Sequence, residues 1–263
     1  LHLLSRRQRQ MCIRDRITVE IFPSAQLGSQ EDNVASLANN SLEMTCVNST
    51  ILNTISPSTM MLACPALFAN EEECDAVLAS EWGQNFWDNV AKESGVRVLS
   101  AFCNGMRSFT TSNKELTTVD SAKGVTFRVM PSAVYEKMVE AIGANPVPMP
   151  GSEMYTAMQN GTVDGQDNPL PTVKSAKFYE VQKSISLTNH LVDSVWPTIN
   201  LNTWNKLTDT QKGWVMEAVE AARIACDEQN IKTESEVQDF LREQGLTIYE
   251  ADVACLLYTS DAA

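Results

Sequence analysis

Histidine is nearly absent from this sequence, which limits the chemistry that the chain can perform. The 263 residues contain two histidines, His2 and His190. The sequence has no nucleophile elbow, zinc-protease helix motif, Walker loop or dinucleotide-binding glycine motif. A Ser-His-Asp triad would have to use His190, and nothing in the sequence locates a nucleophile for it. The sequence therefore argues against an enzyme, and we assign no catalytic residue.

Basic residues and long apolar runs are also scarce. The chain has 20 Lys and Arg against 33 Asp and Glu, giving a formal net charge of −13. Such an acidic surface argues against nucleic acids and anionic membranes as partners. No apolar run reaches the roughly 18 residues of a membrane-spanning helix, so direct membrane insertion is not expected. Apolar residues still make up 43% of the chain, enough for the core of one large or two moderate domains.

Metal-ligand patterns are missing as well. The cysteines outside the chain ends show no CxxC spacing and no histidine partner, so we expect neither zinc nor another cofactor and interpret them as small buried apolar residues: Cys46, Cys64, Cys74, Cys103 and Cys226. Asp164 and Asp167 lack the glycine and glutamate positions of a calcium-binding EF-hand loop. We interpret both aspartates as hydrogen-bonding struts.

The two ends of the chain differ in character from the rest. Residues 1–16 carry five Arg and one Asp, against the acidic balance elsewhere. This segment and residues 254–263 resemble translated sequencing-adapter sequence, and we set both apart as non-native. The N-terminal segment has no apolar stretch of the signal-peptide kind, so a signal sequence or lipid anchor is expected upstream of this fragment.

Strand-like and helix-like segments alternate along the chain, which is typical of an α/β fold. Strands are predicted at 17–22, 42–48, 96–103 and 127–131, and helices near 31–40, 70–80, 132–142, 152–160 and 208–244. The last helix would span about 50 Å, more than one small domain, so it is expected to bridge two lobes.

The polar stretch NGTVDGQDNP, residues 160–169, is predicted to be a turn. It is too polar for a typical core strand. Gly161 and Gly165 would allow a tight backbone turn, and Pro169 would fix the start of the next helix.

Arg128 is the most informative charged residue, because it interrupts the apolar run VTFRVM. A guanidinium cannot lose its charge there and needs a partner. It could form an internal salt bridge, point to solvent from an edge strand, or hold a ligand carboxylate through two parallel hydrogen bonds. Arg107 follows an Asn-Gly pair that is predicted to be a turn, and it is expected to begin a neighbouring strand. Two adjacent arginines would repel each other unless an anion joined them.

Several motifs resemble the solute-binding proteins of tripartite ATP-independent periplasmic (TRAP) transporters, the DctP-type family. They include GVTFRVMPS, VDGQDNP and KFYEVQK, and the resemblance extends from about Ile17 to Val253. It implies a two-lobed, periplasmic-binding-protein-like α/β fold with a central cleft and a long interdomain helix. It also implies a monomeric extracytoplasmic protein that captures an organic or sugar acid and delivers it to a membrane permease.

The same resemblance implies a set of site residues. Arg128 would bind the ligand carboxylate and Arg107 would assist it, while Asn168, Asn48 and His190 would line the cleft. His190 could equally be a packing residue. Where sialic-acid binders of the family carry an aromatic residue, this chain has Pro150 and Gly151, which argues against sialic acid.

Lobe one is expected to comprise 17–105 and about 194–233, without the family's first strand and helix, and lobe two 106–193 and about 234–253. Two alternatives to a TRAP subunit remain at this stage. The chain could be a binding module for a sensor or an ABC importer, or an enzyme on a similar scaffold. The sequence does not name the acid.

Overall fold

The computed structural model describes the backbone of residues 11–13 and 17–251 and the side chains of residues 17–229 and 236–251. The remaining residues of the two segments set apart above, 1–10, 14–16 and 254–263, lie outside this range. The strands are β1 Met11–Ile13, β2 Ile17–Val19, β3 Met44–Asn48, β4 Val96–Val98, β5 Phe102–Thr111, β6 Thr126–Val129, β7 Asn145–Pro148, β8 Gly165–Pro169, β9 Ser184–Asn200 and β10 Thr247–Glu250. The α-helices are α1 Gln30–Ala38, α2 Glu71–Ala79, α3 Glu81–Ser94, α4 Val119–Ala122, α5 Ala133–Ala141, α6 Met154–Gln159, α7 Leu170–Ser175, α8 Leu201–Lys206 and α9 Asp209–Glu243. Short 3₁₀ helices occupy Ser49–Thr54, Pro57–Ala63, Gly151–Glu153 and Phe178–Glu180.

One mixed sheet of eight strands forms the centre of the molecule, which confirms the predicted α/β class. Its main order is β10-β9-β5-β8-β6-β7, and β3 and β4 pair with the C-terminal half of β9. β9 is 17 residues long, and its N-terminal end pairs with β10. β1 and β2 form a separate two-stranded sheet. The long strand β9 therefore joins both parts of the main sheet.

The predicted strand at 96–103 is wrong in extent. β4 ends at Val98, and β5 begins at Phe102 and continues through the Asn-Gly pair to Thr111. Gly105 has φ of +111° at a shift in the β5–β9 register, so the pair forms a β-bulge inside the strand. Arg107 therefore lies in the middle of β5 and does not follow a turn.

A second irregularity lies between Arg107 and Phe109, where the register slips from Leu191 to Ser186 of β9. Asn189, at φ of +42°, lies in the looped-out part of β9. Its backbone N–H donates to the Ser108 hydroxyl, which in turn donates to the Asn189 side-chain oxygen. The hydrogen bonds of the bulge replace those lost from the ladder.

The prediction that residues 160–169 form only a turn is wrong. The chain turns around Gly161, at φ of +70°, but Gly165–Pro169 is a fully buried strand between β5 and β6. A strand this polar can be buried because its side chains bond to one another and to β5, as Gln166 does to Thr110 at 2.9 Å. Helix α7 begins directly after Pro169, as expected.

Gly165 is required for close approach of two strands, because a Cβ built on it would lie 2.2 Å from the Thr110 carbonyl oxygen. We expect Gly165→Ala to lower the free energy of unfolding by about 3 kcal/mol, since β5 or β8 would have to move. The matched control is Gly213→Ala in α9, where a Cβ meets nothing within 4 Å. That change should be neutral or stabilise by up to about 1 kcal/mol. Urea unfolding compares the two variants, and equal stabilities would contradict the expectation.

Helix α9 matches its prediction closely, with 35 residues from Asp209 to Glu243. Thr208 caps its first turn in a reciprocal capping box with Gln211. Val219, near one end, packs in a cluster with Leu99, Ile199 and Trp204. Near the other end, Val237 and Leu241 pack in a cluster with Val173 and Ile185. The helix therefore bridges two separate apolar clusters.

The cysteine expectation is only partly correct. Cys74 and Cys103 are buried and Cys226 is half-buried, but Cys46 and Cys64 are exposed. No helix in the described part of the chain is both long enough and apolar enough to cross a bilayer.

Candidate ligand-binding site

Two buried arginines lie near each other at the middle of the sheet. Arg107 on β5 is 1% exposed and Arg128 on β6 is 4% exposed. The two strands were predicted to be neighbours. This prediction is wrong, because β8 lies between them. Arg107 Nε donates to Asp167 Oδ2 at 2.6 Å and Nη1 donates to Asp193 Oδ1 at 2.7 Å, while Nη2 donates to the Asp167 carbonyl. Two internal carboxylates, those of Asp167 and Asp193, therefore compensate Arg107 in place of an external anion.

Arg128 has a different environment. Its Nε and Nη2 donate to the Met149 carbonyl oxygen at 3.0 and 2.8 Å. Within the described residues, no carboxylate oxygen lies within 4.0 Å of its guanidinium. Burial and repulsion from Arg107 lower the pKa of Arg128 to about 10, so it remains a cation at neutral pH. The internal salt bridge considered for Arg128 is thus made by Arg107 instead.

Asp193 on β9 is a site residue that the sequence reasoning missed. Its Oδ1 accepts from Arg107 Nη1 and from Asn48 Nδ2, each at 2.7 Å, and its Oδ2 accepts from Asn104 Nδ2 at 2.8 Å. It is 2% exposed. A lone carboxylate in the apolar stretch LVDSVW was the available signal, because a buried charge needs a partner.

Asn48 links the end of β3 to this carboxylate. Its Oδ1 accepts from the Thr50 backbone N–H at 3.0 Å and so caps the 3₁₀ helix Ser49–Thr54. Its Nδ2 donates to Asp193. Both ends of the amide therefore have internal partners.

Asn168 on β8 keeps one group unpaired. Its Nδ2 donates to Gln166 Oε1 and lies 3.8 Å from Met154 Sδ. No described residue donates a hydrogen bond to its Oδ1, and the side chain is almost fully buried. Asn168 Oδ1 is therefore an available acceptor.

His190 packs within the β9 bulge. Its Nδ1 lies 2.8 Å from Thr188 Oγ1, its Nε2 lies 3.4 Å from Asp167 Oδ2, and its ring stacks on Phe109 at 4.7 Å. The geometry favours the packing role for this residue. Burial alone would raise the pKa of Asp167, but Arg107 and His190 hold it well below its usual range.

Two hydroxyl groups at the site have no hydrogen bond of normal geometry: Tyr135 Oη and Thr50 Oγ1. The Tyr135 ring lies 5.4 Å from Arg107 Cζ, and burial raises the pKa of its hydroxyl. Asn53, in the same 3₁₀ helix as Thr50, donates to Ser132 Oγ at the start of α5 at 3.0 Å. The segment after β3 and helix α5 therefore meet beside the two arginines.

The five predicted site residues divide into two groups. The residues of one group contact Asp167 or Asp193. In the other group, a charge or a polar atom has no partner among the described residues. The first group is Asn48, Arg107 and His190, and the second is Arg128 and Asn168. The arrangement offers one uncompensated buried cation and several neutral polar groups, which suits an anionic ligand that carries hydroxyl groups.

The strut interpretation of the two aspartates is confirmed. Asp164 Oδ2 accepts from the Thr126 backbone N–H at 2.9 Å, and Asp167 holds Arg107. Among the residues that the structure describes, no group of three or more His, Cys, Asp and Glu side chains could hold a metal ion.

A long strand and a long helix shared by separate apolar clusters, together with a buried guanidinium that contacts no carboxylate among the described residues, are features of a two-lobed α/β binding protein. The family model for DctP, bacterial extracellular solute-binding protein, family 7, matches residues 7–255, and the chain belongs to that family. This confirms the predicted resemblance and the extracytoplasmic location.

Individual relatives agree with this assignment. The chain is 33% identical over 238 residues to the sialic acid-binding periplasmic protein SiaP of Vibrio cholerae, covering 90% of this chain and 74% of SiaP. A TRAP periplasmic solute-binding protein from Roseobacter denitrificans with bound L-galactonate superposes with a TM-score of 0.88 at 30% identity, over 93% of this chain and 81% of the other. A second one from the same organism, with bound 3-deoxy-D-manno-oct-2-ulosonic acid, gives 0.85 at 33% identity, over 90% and 79%. All three relatives are named as binding proteins.

Proposed function

We propose that this chain captures a small organic or sugar acid in an interlobe cleft and delivers it to the membrane permease of a TRAP transporter, without chemical turnover. The observation that carries the proposal is Arg128, a cation that is 4% exposed and has no carboxylate within 4.0 Å among the described residues. A buried guanidinium in this state is stabilised by an arriving carboxylate. The relatives of this chain point to the same class of ligand. One is named for binding sialic acid, and two solved structures contain a bound sugar acid.

In this proposal, Arg128 binds the carboxylate of the ligand. Asn168 Oδ1 accepts from a ligand hydroxyl or the acid, and the Tyr135 and Thr50 hydroxyls complete the polar lining. Arg107 uses three of its five N–H groups internally, so it still has donors for the same carboxylate. Asn48 and His190 act mainly by holding Asp193 and Asp167 in place.

We expect lobe one to comprise 17–105 and about 194–233, and lobe two 106–193 and about 234–253. The boundaries between these ranges fall within β5, β9 and α9, so these three elements would connect the lobes. Closure of the lobes would bury the acid, and the closed monomer would dock on the permease. The relatives give no support to a sensor or ABC-importer module.

Thermal unfolding with a panel of organic and sugar acids tests this function. An acid at a hundred times its Kd stabilises the folded state by about 2.7 kcal/mol, a shift on the order of 5–10 °C for a chain this size. Neutral alditols of the same length serve as the control and should give no shift. Chromatography after incubation should recover the acid unchanged. Equal shifts with the alditols, or conversion of the acid, would contradict the proposal.

A further inference from the structure

We propose that the site selects acids with a single carboxylate and excludes diacids of the same carbon skeleton, because Asp167 and Asp193 already use the charge of Arg107. The inference rests on the proposed function and narrows its substrate class.

The charges around the two arginines are unevenly distributed. Arg107 contacts two carboxylates, at 2.6 Å from Asp167 and 2.7 Å from Asp193, whereas Arg128 contacts none. These are the only buried Lys or Arg side chains in the described part of the chain. The four charges sum to zero, but both carboxylates pair with Arg107, so Arg128 is the cation left for a ligand carboxylate to pair with.

A first ligand carboxylate pairs with Arg128 and leaves the buried cluster with one net negative charge. A second carboxylate would enter without a cation of its own and would be repelled by Asp167 and Asp193. Glu31 adds a further negative charge on the Arg128 side. An ionised carboxylate that is buried without a partner is strongly disfavoured.

The remaining polar groups suit a neutral ligand body. Tyr135 Oη and Thr50 Oγ1 are buried, and neither makes a hydrogen bond of normal geometry with a described residue, although the two side chains interact with each other. No described residue donates to Asn168 Oδ1. These neutral groups can pair with hydroxyls, which both donate and accept. The geometry thus favours a hydroxylated monoacid.

Isothermal titration with acid pairs that differ only at the far carbon tests the inference. The pairs are L-galactonate with galactarate, D-gluconate with D-glucarate, and D-erythronate with meso-tartrate. At pH 7.5 every carboxyl group is ionised. We expect the best monoacid to bind at least about 30-fold more tightly than its diacid. A diacid that binds as tightly as its monoacid would overturn the inference and leave the proposed function standing. If no acid of either kind binds, the proposed function itself fails.

A charge-removing variant adds a second test. Asp193→Asn keeps the shape of the side chain but removes one negative charge, so the preference for monoacid over diacid should fall about tenfold. Asn104→Ala, which removes a hydrogen bond to the same carboxylate without changing its charge, is the control and should keep the wild-type preference. An unchanged preference in folded Asp193→Asn would contradict the charge argument. If that variant does not fold, the wild-type acid pairs decide the question.

Discussion

Arg128→Ala is expected to reduce the affinity for the bound acid by at least about 100-fold, with little loss of stability. In the complex, removal of the guanidinium leaves the ligand carboxylate desolvated and unpaired, which costs about 2–5 kcal/mol. In the empty protein, Arg128 is a buried cation that contacts no described carboxylate, so its loss should change the free energy of unfolding by no more than about 1 kcal/mol. Isothermal titration measures the first quantity and urea unfolding the second.

Two further substitutions sharpen this test. Arg128→Lys keeps the charge but loses the planar fork, and an intermediate loss of about tenfold is expected. Arg242→Ala removes an arginine whose side chain is 51% exposed, and it should leave affinity unchanged. Wild-type affinity in Arg128→Ala would show that the carboxylate binds elsewhere.

Arg107→Ala should instead act on stability. It leaves Asp167 and Asp193 as buried carboxylates without their cation, so we expect the free energy of unfolding to fall by about 3–5 kcal/mol and Tm by on the order of 10 °C. The matched control is Arg223→Ala, because Arg223 also pairs with two carboxylates, Glu220 and Asp227, but its side chain is 32% exposed. Its removal should cost at most about 1 kcal/mol.

The stability lost in Arg107→Ala should also depend on pH. Arg107 keeps the pKa of Asp167 below its unfolded value of about 3.9, so the stability from this pair is fully present above that pH and is lost as the pH falls below it. In Arg107→Ala, Arg107 no longer offsets the burial that raises the pKa of Asp167, so this carboxyl takes up a proton at a higher pH than in the wild type. The stability difference between wild type and Arg107→Ala should therefore shrink as the pH is lowered from about 8 to about 4. Equal losses for Arg107→Ala and Arg223→Ala, or a difference that is independent of pH, would show that burial does not set the strength of the pair.

The sequence was most informative where one local rule determines the structure. The helix predicted at 208–244 agrees with α9, Asp209–Glu243, to within one residue at each end. Arg128 stood out because a fixed charge in an apolar strand needs a partner.

The sequence was least informative where partners are distant along the chain. The strand β8 was not predicted, because its residues are polar. Gln166 and Asp167 can be buried only because Thr110 and Arg107 on β5 bond to them. Gly165 was predicted to allow a tight turn, and this role is wrong for the same reason. It provides space for Thr110 on the adjacent strand, and no sequence pattern shows which strand that will be.

The pairing of β9 also determines when β3 and β4 can complete their hydrogen bonds. Residues 44–48 pair with residues 195–199, roughly 150 positions later, and β4 likewise pairs with residues 198–200. During synthesis, these two early strands emerge well before the segment that completes their hydrogen bonds. Contacts so distant in sequence make folding slow, because a large loop must close before they form. A fragment ending before Ser184 would leave β3 and β4 as unpaired edges prone to aggregation.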